Sequence, residues 1–247
     1  MKKLPDIMLT MGIVSLIFFG GYYIYSANLF NSTQAVASSS RKPLVVSDSE
    51  VTDSHVETIH QDAIKNDQAN LNRVGTVAIP DLGILLPIYN KPYDEQALLV
   101  GAQQLEAKGK DADQATIGKG NFLLVAHNYT DGKKMFSPLQ QNMGLNAPYL
   151  VNRHAQDNHW LDGKKIYLAN DKGLYEYTID VQHTIPEYKT DIQNNTDKPE
   201  INVITCLEPD DSWRIDTHGN LSQKWSWDQA PSNIINYFDL NKQQFNK

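Results

Sequence analysis

Between residues 74 and 206 the apolar residues come in short runs, each cut off by turn formers too soon for a helix of several turns. Candidate strands are 74–79, 84–89, 121–127, 165–170, 174–182 and 201–206. Pro80-Asp81-Leu82-Gly83, Asp131-Gly132 and Asn170-Asp171-Lys172-Gly173 supply turn chemistry among them. Segments 95–105 and 136–143 read as the helical pieces. Many short strands with few helices predict a mainly β domain, a barrel or a sandwich. No internal repeat is present.

The first quarter of the chain has a different character. Lys2 and Lys3 precede an apolar run over 7–25, which as a helix would span about 28 Å, close to a bilayer's hydrocarbon core. Tyr22, Tyr23 and Tyr25 stand at its far end, where amphipathic rings favour the headgroup level. The lysines predict a cytoplasmic amino terminus and an exported remainder. Ala35-Val36-Ala37 resembles a signal-peptide cleavage site, but the apolar run ends well before it and exceeds the usual cleavable length. An uncleaved single-pass anchor over 1–26 is therefore expected.

Residues 27–71 read as an acidic linker. Within 45–70, Asp48, Glu50, Asp53, Glu57, Asp62 and Asp67 face a single base, Lys65, so most of the net charge of −7 lies here. Ser54 and Glu57 fit a capping box for a short helix whose Val56, Ile59 and Ala63 share a face. So polar a helix is marginal alone and is expected beside the main domain, 72–247. The acidic balance argues against nucleic acid as a partner.

One cysteine, Cys206, excludes an intrachain disulfide and a multi-thiolate zinc site. It ends an apolar run and opens the polar loop Leu207-Glu208-Pro209-Asp210-Asp211. A thiol at a strand-to-loop junction can be exposed on a rigid support, as a nucleophile requires, although a lone cysteine is most often an inert buried hydrophobe. His127 has the same placement before Asn128-Tyr129. If the two strands are neighbours, imidazole and thiol meet above one edge of the sheet. Arg214 then offers a permanent charge for a developing oxyanion. The other histidines, His55, His60, His154, His159, His183 and His218, lie in polar surroundings and read as solvated surface. No metal-ligand spacing recurs on one element, and Asp111 with Asp113 is only a weak calcium signal.

Three stretches carry a resemblance. Asn202-Val203-Ile204-Thr205-Cys206 followed by Arg214 resembles the TLxTC-to-arginine pattern of sortases, the cysteine transpeptidases of Gram-positive cell surfaces. Gly120 through His127-Asn128, with Phe136 beyond, resembles the histidine strand of class A members. Gly75 through Pro87 is similar to that domain's first two strands. Asn202, Val203 and Ala126 depart from the usual Thr, Leu and Gly. An amino-terminal anchor and a polar 233–247 fit the housekeeping class rather than pilus-polymerising sortases.

The resemblance implies an eight-stranded sortase-type β-barrel and a substrate bearing an LPxTG-like sorting signal. It assigns Cys206 as nucleophile, His127 as proton carrier and Arg214 as the substrate-carbonyl and oxyanion donor. The partners it implies are LPxTG-bearing surface proteins and the amine of a lipid-linked peptidoglycan precursor, with no cofactor. Val125, Ile204 and Thr205 are the candidate substrate-binding residues, the first two because each shares a strand side with a catalytic position. The loop over 186–198 is expected to wall the groove. Two other classes compete: a different exported Cys–His acyl-transfer enzyme acting on peptidoglycan, and a membrane-tethered binding module whose cysteine is buried.

Overall fold

The computed structural model describes residues 52–240. The anchor expected over 7–25 and most of the linker lie outside them. Among the described residues no helix is long and apolar enough to cross a membrane.

The described chain opens with helix α1 (Asp53–Ile64), then strands β1 (Arg73–Ile79) and β2 (Ile84–Tyr89), helix α2 (Glu95–Val100), and strands β3 (Ala102–Leu105) and β4 (Asn121–Val125). A small hairpin, β5 (Leu150–Val151) and β6 (His154–Ala155), leads to β7 (Lys165–Asn170) and β8 (Gly173–Pro186). The chain then forms β9 (Glu200–Cys206), β10 (Trp213–Trp225) and helix α3 (Ser232–Asn236). Eight strands close into a barrel in the order β1-β2-β3-β4-β9-β10-β8-β7. Closure leaves no unpaired sheet edge. Two neighbouring pairs, β2/β3 and β4/β9, run parallel, and the rest are antiparallel.

All six expected strands are present, and β3 and β10 complete the barrel. The helix expected over 95–105 stops at Val100. Gly101 packs so tightly on β2 that a Cβ there would lie 2.5 Å from the Pro87 carbonyl oxygen. A bare backbone at this position lets the chain leave the helix and pair as β3, Ala102 opposite Ile88. In the segment expected as helix over 136–143, only a single 3₁₀ turn forms, Ser137–Leu139, with Pro138 in its first positions.

Helix α1 begins at Asp53, one residue before the expected cap. Thr52 is the N-cap and makes no side-chain capping bond. Ile59 and Ala63 bury against Ala78, Leu85, Tyr167 and Leu174 on the barrel's outer face, together with Trp227 and Phe238 from the carboxyl-terminal segment. The Thr76 hydroxyl donates to the Ala63 carbonyl at 2.6 Å. The packed structure therefore includes this helix, well ahead of residue 72. The main core fills the barrel interior, where Val77, Leu86, Phe122, Leu124, Tyr177 and Val203 are at most 2% exposed.

Candidate active site

Strands β4 and β9 lie side by side, parallel, with Val125 opposite Ile204. The pairing runs one step past the ladder: the Ala126 amide donates to the Ile204 carbonyl (3.3 Å), and the Thr205 hydroxyl donates to the Ala126 carbonyl (2.9 Å). His127 and Cys206 thus emerge at the same end of adjacent strands. On the other side of β9, antiparallel β10 sets Arg214 opposite Cys206. Three strands in a row each contribute one of the three side chains.

All three line one pocket of about 310 Å³. Its floor is the apolar outer face of the wall, with Leu105, Val125 and Ile204 exposed to the cavity. One flank is the segment between β8 and β9, through Glu187, Lys189, Ile192 and Gln193, and the opposite rim holds Tyr93 and Leu98. Val125 and Ile204 therefore lie where strand alternation put them, and the 186–198 loop forms a wall. Thr205 does not line the pocket. Alternation turns it to the barrel interior, fully buried, where its hydroxyl ties β9 to β4.

Arg214 is held from several directions. Its Nη1 donates to the carbonyls of Asp211 and Trp213, and its Nη2 lies 3.3 Å from Glu187 Oε2. The turn after Cys206 is fastened by Asn128 and Gln140. Asn128 Nδ2 donates to the Cys206 carbonyl (2.8 Å) and to Gln140 Oε1 (2.7 Å). The Gln140 amide brackets Glu208, accepting from its backbone N–H and donating to its carbonyl. Asn128 had the cue of standing beside His127; Gln140 reaches the turn only through the fold.

Burial pushes the Cys206 thiol up; Arg214 opposes this, while Glu208, Asp211 and Glu187 add to it. Burial also lowers His127, with Glu95 opposing. Both shifts favour the uncharged forms, a thiol beside a neutral imidazole, and no hydrogen bond joins the two among the described residues. Cys206 is partly exposed rather than sealed in the core.

Of the other histidines, His55, His159, His183 and His218 pair with Asp239, Asp162, Asp157 and Asp180 respectively. His60 stacks on Trp227 with ring centroids 4.5 Å apart, so it belongs to the packing of α1 and not to free surface. Among the described residues no group of three or more His, Cys, Asp or Glu side chains gathers as metal ligands, around Asp111 and Asp113 or elsewhere.

A thiol, an imidazole and a guanidinium at one end of a closed barrel define a site suited to cysteine acyl transfer. The sortase domain model matches residues 77–221. The chain is 27% identical over 201 residues to a sortase A of Streptococcus agalactiae, covering 78% of this chain and 72% of that one. It is 31% identical over 136 residues to a sortase A of Listeria monocytogenes, covering 55% and 50%. The crystal structure of Listeria monocytogenes sortase A superposes with a TM-score of 0.52 at 26% identity, over 67% of this chain and 97% of that one. The chain belongs to the sortase family and is most like its class A. It is a cysteine transpeptidase.

Proposed function

We propose that this enzyme cleaves an LPxTG-like sorting signal between Thr and Gly and passes the surface protein to the amine of a lipid-linked cell-wall precursor. The observation carrying the assignment of residues is that His127, Cys206 and Arg214 stand on three adjacent strands and open into one pocket with an apolar floor. In this reading Cys206 Sγ attacks the threonine carbonyl carbon as its proton passes to His127. Arg214 donates to the carbonyl oxygen as it gains negative charge. The tetrahedral intermediate collapses by breaking the Thr–Gly C–N bond, and the imidazolium protonates the departing glycine nitrogen. The resulting thioester is attacked by the incoming amine, whose proton returns through His127 to the thiolate.

An apolar floor of Leu105, Val125 and Ile204 suits the aliphatic side chains at the head of such a signal. Anchoring by residues 7–25 would hold the domain on the outer membrane surface, where tethering raises the effective concentration of both membrane-associated substrates. No metal or organic cofactor takes part in the scheme. The partial exposure of Cys206 within a pocket favours catalysis over a binding module with an inert cysteine.

The test is cleavage of a quenched LPxTG peptide with an added amine, beside the Cys206→Ala variant. Cleavage and amine transfer by the parent, absent from the variant, are expected. A folded, alkylatable parent that leaves the peptide intact would remove the substrate assignment and keep the nucleophile.

A further inference from the structure

Asn202 stands where the sortase pattern usually has threonine, and Asp216 lies two residues beyond Arg214. Neither touches the proposed catalytic groups, yet both are buried, at 5% and 1% exposure. By strand alternation Asn202 shares the side of β9 with Ile204 and Cys206, and Asp216 shares the side of β10 with Arg214. A carboxyl group there needs a reason, because an unpaired buried carboxylate is among the costliest groups a fold can hold.

The hydrogen-bond donors and acceptors around it supply one. Asn121 Nδ2 donates to the Ile192 and Asn194 carbonyls, at 2.7 and 3.0 Å. Its amide is therefore oriented, and its Oδ1 must accept. Asn202 Nδ2 meets that oxygen at 2.7 Å. The other end of the Asn202 amide lies 3.1 and 3.0 Å from the two carboxyl oxygens of Asp216. Reversing Asn202 would let it donate to Asp216 but would press its own oxygen against Asn121 Oδ1 at 2.7 Å, acceptor against acceptor. Reversing Asn121 as well would set its oxygen against two carbonyls. The arrangement that keeps Asn121 on the loop carbonyls and still gives Asn202 Oδ1 a donor has Asp216 donating through one of its two carboxyl oxygens.

We propose that Asp216 carries a proton in the resting enzyme and donates it to Asn202 Oδ1, so that Asp216, Asn202 and Asn121 form a positioning chain that fixes the wall of the peptide pocket, and that loss of this proton loosens the wall. The wall is the segment between β8 and β9. Its backbone is held by Asn121 at Ile192 and Asn194, and Ile192 lines the pocket and packs against the cluster of Leu105, Leu123 and Ile204. An ionised Asp216 accepts only, so Asn202 must turn its NH₂ toward it and Asn121 must give up either Asn202 or the loop carbonyls.

The charged surroundings agree. Burial pushes Asp216 up to about 7; His183 on β8 and His218 on β10 oppose this, and Glu200 on β9 and Asp180 on β8 add to it. Both histidines are already engaged by acids: His183 Nδ1 is 2.9 Å from Asp157, and His218 is 2.6 Å from Asp180 and 3.7 Å from Glu200. On β9 the residue opposite Asp216 is the uncharged Ile204.

The regulation rests on the peptide-pocket reading, but the proton and the wall are measurable without it. In the full chain carrying Cys206→Ala, infrared difference spectra between about pH 6 and pH 9 should show a protonated-carboxyl band that Asp216→Asn removes. Amide hydrogen exchange at 192–195, corrected for its intrinsic pH dependence, should accelerate over the same interval and stay level in Asp216→Asn, whose amide still donates. LPxTG peptide affinity should weaken about fivefold across the interval in the parent and not in the variant, the worth of one or two anchoring hydrogen bonds. Absence of the band at about pH 6, or exchange that depends on pH equally in both proteins, overturns the proposal. A band and a level variant without peptide binding would keep the chain and remove the pocket's assigned ligand.

Discussion

Cys206 sits under competing influences whose order can be measured. Burial raises its pKa, Arg214 works against that rise, and Glu187, Glu208 and Asp211 reinforce it. The rate of iodoacetamide alkylation should therefore climb with pH along a curve centred above the ordinary thiol range of about 8.5. Arg214→Gln should move that curve higher by removing the positive charge that opposes burial, and Glu187→Gln should move it lower. A curve centred below the ordinary value would contradict the burial argument. Asp216 gives a second prediction, on stability. Its folded pKa, about 7, lies above its unfolded value, so the folded state binds the extra proton between the two. Its contribution is full below about pH 4 and is lost as pH rises toward neutrality, a change of order a few kcal/mol. Urea midpoints of Asp216→Asn should exceed those of the parent at about pH 8 and converge with them at about pH 4; parallel midpoints would show that no proton is taken up on folding.

At the scale of elements, the decisive join is the parallel β4/β9 pair. Thr205 straps its end with a buried hydroxyl on the Ala126 carbonyl, one residue before both His127 and Cys206. Thr205→Val keeps the shape and leaves that carbonyl without its hydroxyl partner, which should cost about 1–3 kcal/mol in urea unfolding. It should also lower kcat more than it raises KM, because the strap sets imidazole against thiol and the Thr205 side chain does not itself line the pocket. Thr205→Ser should restore both; a valine variant with parental kcat would show that the strap does not position the pair. The same pair shows what a sequence discloses. The runs ending at His127 and Cys206 were readable as strands, and so was the side of each that Val125 and Ile204 occupy. Adjacency of the two strands was not, because each residue of β4 pairs with one 79 positions further on, Val125 with Ile204, and only barrel closure selects them. β3 escaped notice because four residues, Ala102–Leu105, carry too little alternation and only the single Gly101 separates them from the helix. β10 escaped because its outer face reads Arg214, Asp216, His218, Asn220, with Gly219 and Thr217 diluting the inner one. Gln140 and the Asp216 chain are tertiary facts, visible only once β4, β9, β10 and the wall loop meet.

Seen whole, the barrel separates what stabilises it from what it does. In the cyclic strand order β1 and β7 lie on the far side from β4 and β9. The far side is covered by α1 and the carboxyl-terminal helix: Ile59 and Ala63 are 2% and 3% exposed, and His55 meets Asp239 at 2.9 Å. Polar ties reinforce the cover, with Thr76 donating to the Ala63 carbonyl, Arg73 to the Lys65 carbonyl and Tyr89 to Asp67. Cutting the chain at residue 72 would remove every one of these partners and expose Ala78, Leu85 and Tyr167 to water. One buried isoleucine and a few such bonds amount to about 3–5 kcal/mol, a large share of the stability of an ordinary domain. The pocket loses no lining residue in the same cut, since the first of them is Tyr93. A fragment of residues 72–247 should therefore unfold at a clearly lower urea midpoint than one of residues 52–247, while the two share the same peptide KM under conditions where both are folded. Equal midpoints would mean that α1 rests on the barrel without supporting it. A changed KM would mean that the removed segment supports the pocket rim through Leu71, which is buried in one cluster with Ala97 and Val100 of the helix carrying Leu98.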